Sequence, residues 1–260
     1  MRIGIIGAAG RMGRLLAEEI TAAGHTLSGG TLHTGSASRQ PDLPIFVTFP
    51  IFATLPALAA ASDAVIDFTV ASTAQAHATL LAESQVAWIL GTSGLSEADE
   101  AAVHAASACI PVVYSSNFSP GITLLLDLAA RMAAALPGDA YDAEITEIHH
   151  RQKVDAPSGT AVALGRAVAQ ARGVDLATHT ESGRDGHTGP RRPGAIGFAA
   201  LRGGQVVGEH TLLFAGASEH IALTHRAFDR RVFATGAVRA AAWTHARPAG
   251  LYTMRDVMAG

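Results

Sequence analysis

Residues 147–160 run Glu-Ile-His-His-Arg-Gln-Lys-Val-Asp-Ala-Pro-Ser-Gly-Thr. Two histidines, Arg151 and Lys153 fall within five positions, and a Pro-Ser-Gly-Thr turn then opens a helical stretch. An imidazole can hand over a proton near neutral pH, and an ammonium group beside it can stabilise negative charge as it develops. The N–H groups at a helix start bind anions, so Ser158, Gly159 and Thr160 offer a ready carboxylate site. His149 and His150 can share a pocket only if their strand ends or bends there, because neighbours in a strand face opposite ways. The same residues would also suit a solvated basic turn with one packed histidine. Two adjacent histidines with no third ligand at a familiar spacing do not make a metal site.

The second chemical signal is Gly7-Ala8-Ala9-Gly10-Arg11-Met12-Gly13. It follows the apolar run Arg2–Ile6 and opens a stretch of helical spacing over Arg11–Ala23. Glycines in a strand–turn–helix permit a tight turn and close backbone approach to a pyrophosphate seated on the helix start. An NAD-selective fold usually adds an acid about 20 residues on, against the ribose hydroxyls. No Asp or Glu stands between Glu19 and Asp42, so nothing there repels a 2′-phosphate. Arg11, His33 and Arg39 are candidate cations for one, which predicts that NADPH serves at least as well as NADH.

Ligands in open α/β sheets lie past the carboxyl ends of the strands. Asp67-Phe68-Thr69, Gly91-Thr92-Ser93-Gly94 and Ser115-Ser116-Asn117-Phe118 each follow an apolar run, and their recurrence favours one shared crevice. Residues 184–192, Arg-Asp-Gly-His-Thr-Gly-Pro-Arg-Arg, could be a lid over an anion or a flexible connection. The chain has 260 residues, 48% of them hydrophobic and 16% charged, ample for a core and unlike a disordered segment. Its net charge of −3 argues against a general nucleic-acid or anionic-membrane binder. No apolar run is long enough to span a membrane and no secretory leader is visible, so a cytoplasmic protein is expected. The single cysteine, Cys109, excludes a disulfide framework and is expected in the core.

The elements that must position these residues alternate at first. Apolar runs at Arg2–Ile6, Ala64–Phe68, Val86–Leu90 and Pro111–Tyr114, with a second strand expected at Thr26–Leu32, are separated by helical stretches, the pattern of a parallel sheet. Ser119-Pro120 should start a helix running to about Ala135. A strand is expected at Ala143–His150 and a helix at Ser158–Ala171. Three strand-like runs follow Ala195. Gly203-Gly204 and Gly216-Ala217-Ser218 between them suggest hairpin turns and an antiparallel meander. Val232–Ala246 is helical again. The whole predicts an α/β protein: a dinucleotide-binding unit, then an α+β unit.

These segments together resemble the dihydrodipicolinate reductases. The motif E-x-H-H-x-x-K-x-D-A-P-S-G-T-A stands complete at Glu147–Ala161, and GAAGRMGR, VIDFT, GTSG, SSNFSPG, GHTG, PGAIGF, VVGEHT and GLYTMRDV occur in the expected order. The resemblance implies NAD(P)H-dependent reduction of a cyclic dicarboxylate on the diaminopimelate route to lysine. It implies a Rossmann-like cofactor domain from residues 1–118 and 229–260. It also implies a substrate-binding and oligomerisation domain over residues 119–228, with a mixed, largely antiparallel sheet. The cofactor would lie on Gly7, Ala8, Ala9, Gly10, Arg11 and Met12, on Gly91, Thr92 and Ser93, and on Ser115, Ser116, Asn117 and Phe118. His149 would be the proton donor and Lys153 a second acid or charge stabiliser. His150, Lys153, Gly159 and Thr160 would hold the substrate. A homotetramer is implied, and no metal. Members with an acid after the second strand grip the ribose hydroxyls there. Here Leu32 and His33 occupy that stretch, so the resemblance does not set the cofactor preference. The residues alone would also allow another Rossmann dehydrogenase, or a nucleotide-sensing protein without turnover. A semialdehyde enzyme would need a nucleophilic cysteine, for which Cys109 is a poor candidate.

Overall fold

A computed structural model describes residues 1–32 and 49–260. The described residues form two compact units: Met1–Pro120 with Arg230–Gly260, and Gly121–Asp229. His33 and Arg39 lie outside the described residues.

Unit 1 begins with β1 (Arg2–Ile6), α1 (Arg11–Ala22) and β2 (Thr26–Thr31), and continues with β3 (Ile51–Phe52), α2 (Leu55–Ala60) and β4 (Ala64–Asp67). Next come α3 (Ala74–Glu83), β5 (Ala87–Leu90), α4 (Glu97–Ser107) and β6 (Pro111–Tyr114). Unit 2 holds α5 (Pro120–Ala135), β7 (Asp142–His149), α6 (Gly159–Ala171), α7 (Leu176–His179), β8 (Thr180–Ser182), β9 (Ile196–Arg202), β10 (Gly208–Ala215) and β11 (His220–Ala227). The chain returns to unit 1 with α8 (Arg231–Thr244), β12 (Gly250–Tyr252) and α9 (Met254–Ala259).

The sheet of unit 1 runs β12-β6-β5-β4-β1-β2-β3, all parallel. Ala-Val-Ile-Asp of β4 and Ala-Trp-Ile-Leu of β5 are buried at every position, as strands covered on both faces must be. The order reverses direction at β1, which puts the Gly7–Gly13 turn between the carboxyl ends of β2 and β4. That is the topological switch point where such sheets take ligands. Ser96 starts α4 by a capping box with Asp99, the reason the helix begins where it does.

The sheet of unit 2 runs β11-β10-β7-β9-β8. The pairs β11/β10 and β10/β7 are antiparallel, and β7/β9 and β9/β8 are parallel. The sheet is therefore mixed, but the expected meander is wrong in one strand. β9 and β10 do not pair, because β7 lies between them. The reason is visible at Gly203-Gly204: Gly203 N–H donates to the His149 carbonyl, and Arg151 N–H donates to that of Gly204. The connection wraps the end of β7 instead of closing a two-residue turn. The second hairpin, at Gly216, forms as expected, with Gly216 N–H bonded to the Glu219 carbonyl. β7 and β10 alternate between covered and open positions, the period-2 pattern of a sheet with one buried face. Ile145, Leu212, Phe214 and Ile196 meet Leu125, Leu164 and Val168 of α5 and α6 on the covered side.

Cys109 is exposed, against the expectation of a core thiol. It sits in the turn after α4, where its N–H caps the helix through the Ala106 carbonyl, and Ile110 takes the buried position instead. The 184–192 segment is tied down within unit 2. Arg191 bonds Glu144, Asp142 and the carbonyls of Ala143 and Ala195, and Arg184 bridges Glu144 and Glu181.

Candidate active site

In unit 1 the glycine turn makes a cradle that a side chain would close. Gly7 adopts a φ of +77°, open to glycine at little cost. A Cβ at Gly13 would stand 2.5 Å from the Gly7 carbonyl oxygen and 2.6 Å from that of Ala8, so α1 can approach the turn only without one. Gly10 caps α1 with no side-chain hydrogen bond, and the first turn carries no acid. The helix start is thus left to bind an external anion. Arg11 is exposed and Met12 half-buried beside it. A cleft of about 510 Å³ opens there, lined by Gly7, Ala9, Gly10, Leu32, Thr69 and His77 among others.

The three strand ends do converge. Gly91 N–H donates to the Asp67 carbonyl and Ser115 N–H to that of Leu90. The rings of Phe68 and Phe118 lie 5.4 Å apart. Thr92 is buried while Ser93 and Ser116 are exposed. Asn117 folds the last turn, its Oδ1 accepting from Ser119 N–H and its N–H donating to Ser115 Oγ. Sequence reasoning missed His77. It lines the cleft and bonds through Nδ1 to the buried Asp67 carboxylate at 2.7 Å. A histidine in α3 ten residues after Asp67 carries no local signal of that contact.

In unit 2, β7 ends at His149, still in register with Arg202 of β9, and only His150 lies past the strand. His149 is 9% exposed and His150 half-buried. His149 Nδ1 lies 2.6 Å from Glu147 Oε2. Glu147 is 1% exposed and is also gripped by both terminal nitrogens of Arg202, each at 2.8 Å, and by Ser158 N–H at 3.0 Å. Burial alone would raise the Glu147 pKa. The Arg202, His149 and Ser158 bonds outweigh it and hold the carboxyl below its ordinary value. Burial pushes His149 down, helped by Lys153 and Arg202 and opposed by Glu147. The His210 ring meets His149 edge-on at 5.1 Å.

Ser158 serves the fold: its hydroxyl accepts from Ala161 N–H as the cap of α6 and lies 3.0 Å from His210 Nε2. Gly159, next in the turn, is exposed, and a side chain there would meet nothing within 4 Å. Thr160 is half-buried one residue further on. Lys153 Nζ pairs with Asp155 at 2.9 Å. One short segment therefore carries an imidazole, an ammonium group and a helix start. Glu147 was legible in the motif, but its partner Arg202 lies 55 residues away and had no sequence signal.

Among the described residues no helix is long and apolar enough to cross a membrane. Family models match both parts of the chain: dihydrodipicolinate reductase, N-terminus, over residues 1–118, and dihydrodipicolinate reductase, C-terminus, over residues 121–258. The chain is 66% identical over 258 residues to the 4-hydroxy-tetrahydrodipicolinate reductase of Granulibacter bethesdensis, covering 99% of this chain and 97% of the relative. It is 60% identical to the same enzyme of Gluconacetobacter diazotrophicus, with the same coverage. A solved dihydrodipicolinate reductase from Paenisporosarcina sp. TG-14, bound to dipicolinate, shares the fold at a TM-score of 0.78 and 24% identity, covering 97% of each chain. With family matches over both parts and such identity end to end, the chain belongs to the dihydrodipicolinate reductase family.

Proposed function

We propose that the chain reduces 4-hydroxy-tetrahydrodipicolinate, the cyclic product of pyruvate and aspartate semialdehyde, to tetrahydrodipicolinate on the diaminopimelate route to lysine. The observation that carries this is the stretch from the end of β7 to the start of α6, where His149, Lys153 and the helix start belong to one complete family motif. Relatives at 66% and 60% identity, both named 4-hydroxy-tetrahydrodipicolinate reductase, support it.

Residues 1–118 and 229–260 are the cofactor domain and residues 119–228 the substrate domain. The glycine cradle fits a dinucleotide pyrophosphate, since a Cβ at Gly13 would fill the turn and no side chain caps α1. Gly7, Ala8, Ala9, Gly10, Arg11 and Met12 would hold it, with Gly91, Thr92, Ser93 and Ser115–Phe118 at the strand ends. Bound NADPH or NADH supplies the hydride. Lys153, His150, Gly159 and Thr160 hold the two substrate carboxylates, in a protein whose net charge is −3 and which must gather positive potential locally. Both carboxylates favour the charged imidazole, so substrate arrival loads His149 with the proton it then delivers to the reduced ring system. Lys153 steadies the charge that builds before that transfer. Ser158 contributes by capping the helix that presents Gly159 and Thr160.

The protein works as a cytoplasmic homotetramer that assembles through the open face of the unit 2 sheet and takes no nucleic acid. Large apolar side chains such as Leu201, 52% exposed, support that face as the contact. A coupled assay tests the activity: the cyclic substrate is generated from pyruvate and aspartate semialdehyde, and loss of nicotinamide absorbance is followed with NADPH and NADH separately. Turnover with both, and kcat/KM for NADPH at least equal to that for NADH, is expected. No substrate-dependent oxidation of either cofactor overturns the assignment.

A further inference from the structure

We propose that Glu147, clamped by Arg202 and Ser158, is a positioning residue that fixes His149 with Nδ1 protonated and Nε2 as the nitrogen that carries the transferred proton. This rests on His149 being the proton donor.

Every lone-pair direction of the Glu147 carboxylate that the network needs is in use. Oε1 accepts from Arg202 and Ser158 N–H, and Oε2 from Arg202 and His149. A guanidinium fork on a 1%-exposed carboxylate keeps it ionised. An ionised carboxylate only accepts, so Nδ1 of His149 must be the donor of the 2.6 Å bond. The remaining nitrogen, Nε2, is then bare in the neutral ring and protonated only in the imidazolium. β10 leaves room beside that atom. A Cβ at Gly208 would stand 3.0 Å from Nε2, and glycine keeps the approach clear.

The arrangement also bears on charge. Glu147 on β7 is the group that favours the imidazolium. Burial, Lys153 before α6 and Arg202 on β9 oppose it. On β10, His210 faces the ring, with His225 paired to it in register on β11, and Asp155 partly offsets Lys153. Without Glu147 the proton would be lost from the ring at a lower pH.

The full-length protein answers this in two ways. In 15N-labelled wild type, the His149 ring is assigned by the signals that vanish in His149→Gln. Its neutral form is expected to show a protonated Nδ1 and a bare Nε2, whereas a protonated Nε2 overturns the proposal without any Glu147 variant having to fold. In steady state, Glu147→Gln is expected to lower kcat by about 10²-fold with the KM for NADPH little changed. The limb on which kcat falls with rising pH should move to lower pH, and adding Glu147→Gln to His149→Gln should cost little more. A His149→Gln enzyme at full rate brings down the proton-donor role itself. A crippled His149→Gln enzyme beside a Glu147→Gln enzyme of wild-type rate and pH profile brings down only the positioning role.

Discussion

Two imidazoles face each other at 5.1 Å in unit 2, and burial disfavours the charged form of both. For His210 burial, with the neighbouring His149, pushes the pKa from 6.5 down to about 4. The unfolded chain therefore takes up this proton first as pH falls. Stability is intact above about 6.5 and is lost progressively as pH falls toward 4. Between pH 7 and pH 5 the loss comes to about 2 kcal/mol. Urea titrations at the two pH values should read it, and His210→Asn should flatten the difference; an equal slope in the variant would remove His210 as the cause. At the proposed proton donor, His149→Gln should cut kcat by about 10²- to 10⁴-fold while NADPH still titrates its fluorescence as in wild type. Lys153→Met should lower kcat and raise the substrate KM together; an effect on neither makes Lys153 a bystander. What the residues suggested unaided was the type of chemistry now proposed for His149 and Lys153. What they hid was the second layer, because the contacts of Glu147 to Arg202 and of Ser158 to His210 join positions 55 and 52 residues apart.

At the scale of elements, legibility followed length and locality. β1, β4, β5 and β6 were readable as short apolar runs, and α4, α5 and α6 as periodic stretches behind a serine or proline start. β3, β8 and β12, of two and three residues, are shorter than any period that could announce them. β7 was found as a strand but not as the centre of its sheet. Pairing between β7 and β10 is decided by which apolar faces cover α5 and α6, not by the turn next door. The α1–turn junction yields a prediction of its own. Gly13→Ala forces a methyl group against two carbonyl oxygens, an overpacking that should destabilise unit 1 by about 1–3 kcal/mol. The Kd for NADPH should weaken with it. A variant with wild-type melting and binding would mean the turn relaxes freely.

For the whole molecule, the chain leaves unit 1 and returns to it, and the proposed function divides a hydride transfer between the two units. The boundaries fall after Pro120 and Asp229. The helix after Pro120 had an N-cap and proline signal, while the return near residue 229 was placed through the family resemblance. The open sheet face of unit 2 carries the assembly prediction. The proposed tetramer should sediment as such in the wild type, Leu201→Glu should convert it to smaller species at unchanged far-ultraviolet dichroism, and an intact tetramer in the variant would place the contact elsewhere.

Cys109 is the chain's lone thiol and is solvent-accessible on a helix-to-strand turn of unit 1. A maleimide dye would therefore attach at one known point of the native protein with no background to engineer away. With a second cysteine introduced in unit 2, the same handle makes the separation of the halves an optical distance that can be followed while cofactor and substrate are added in turn.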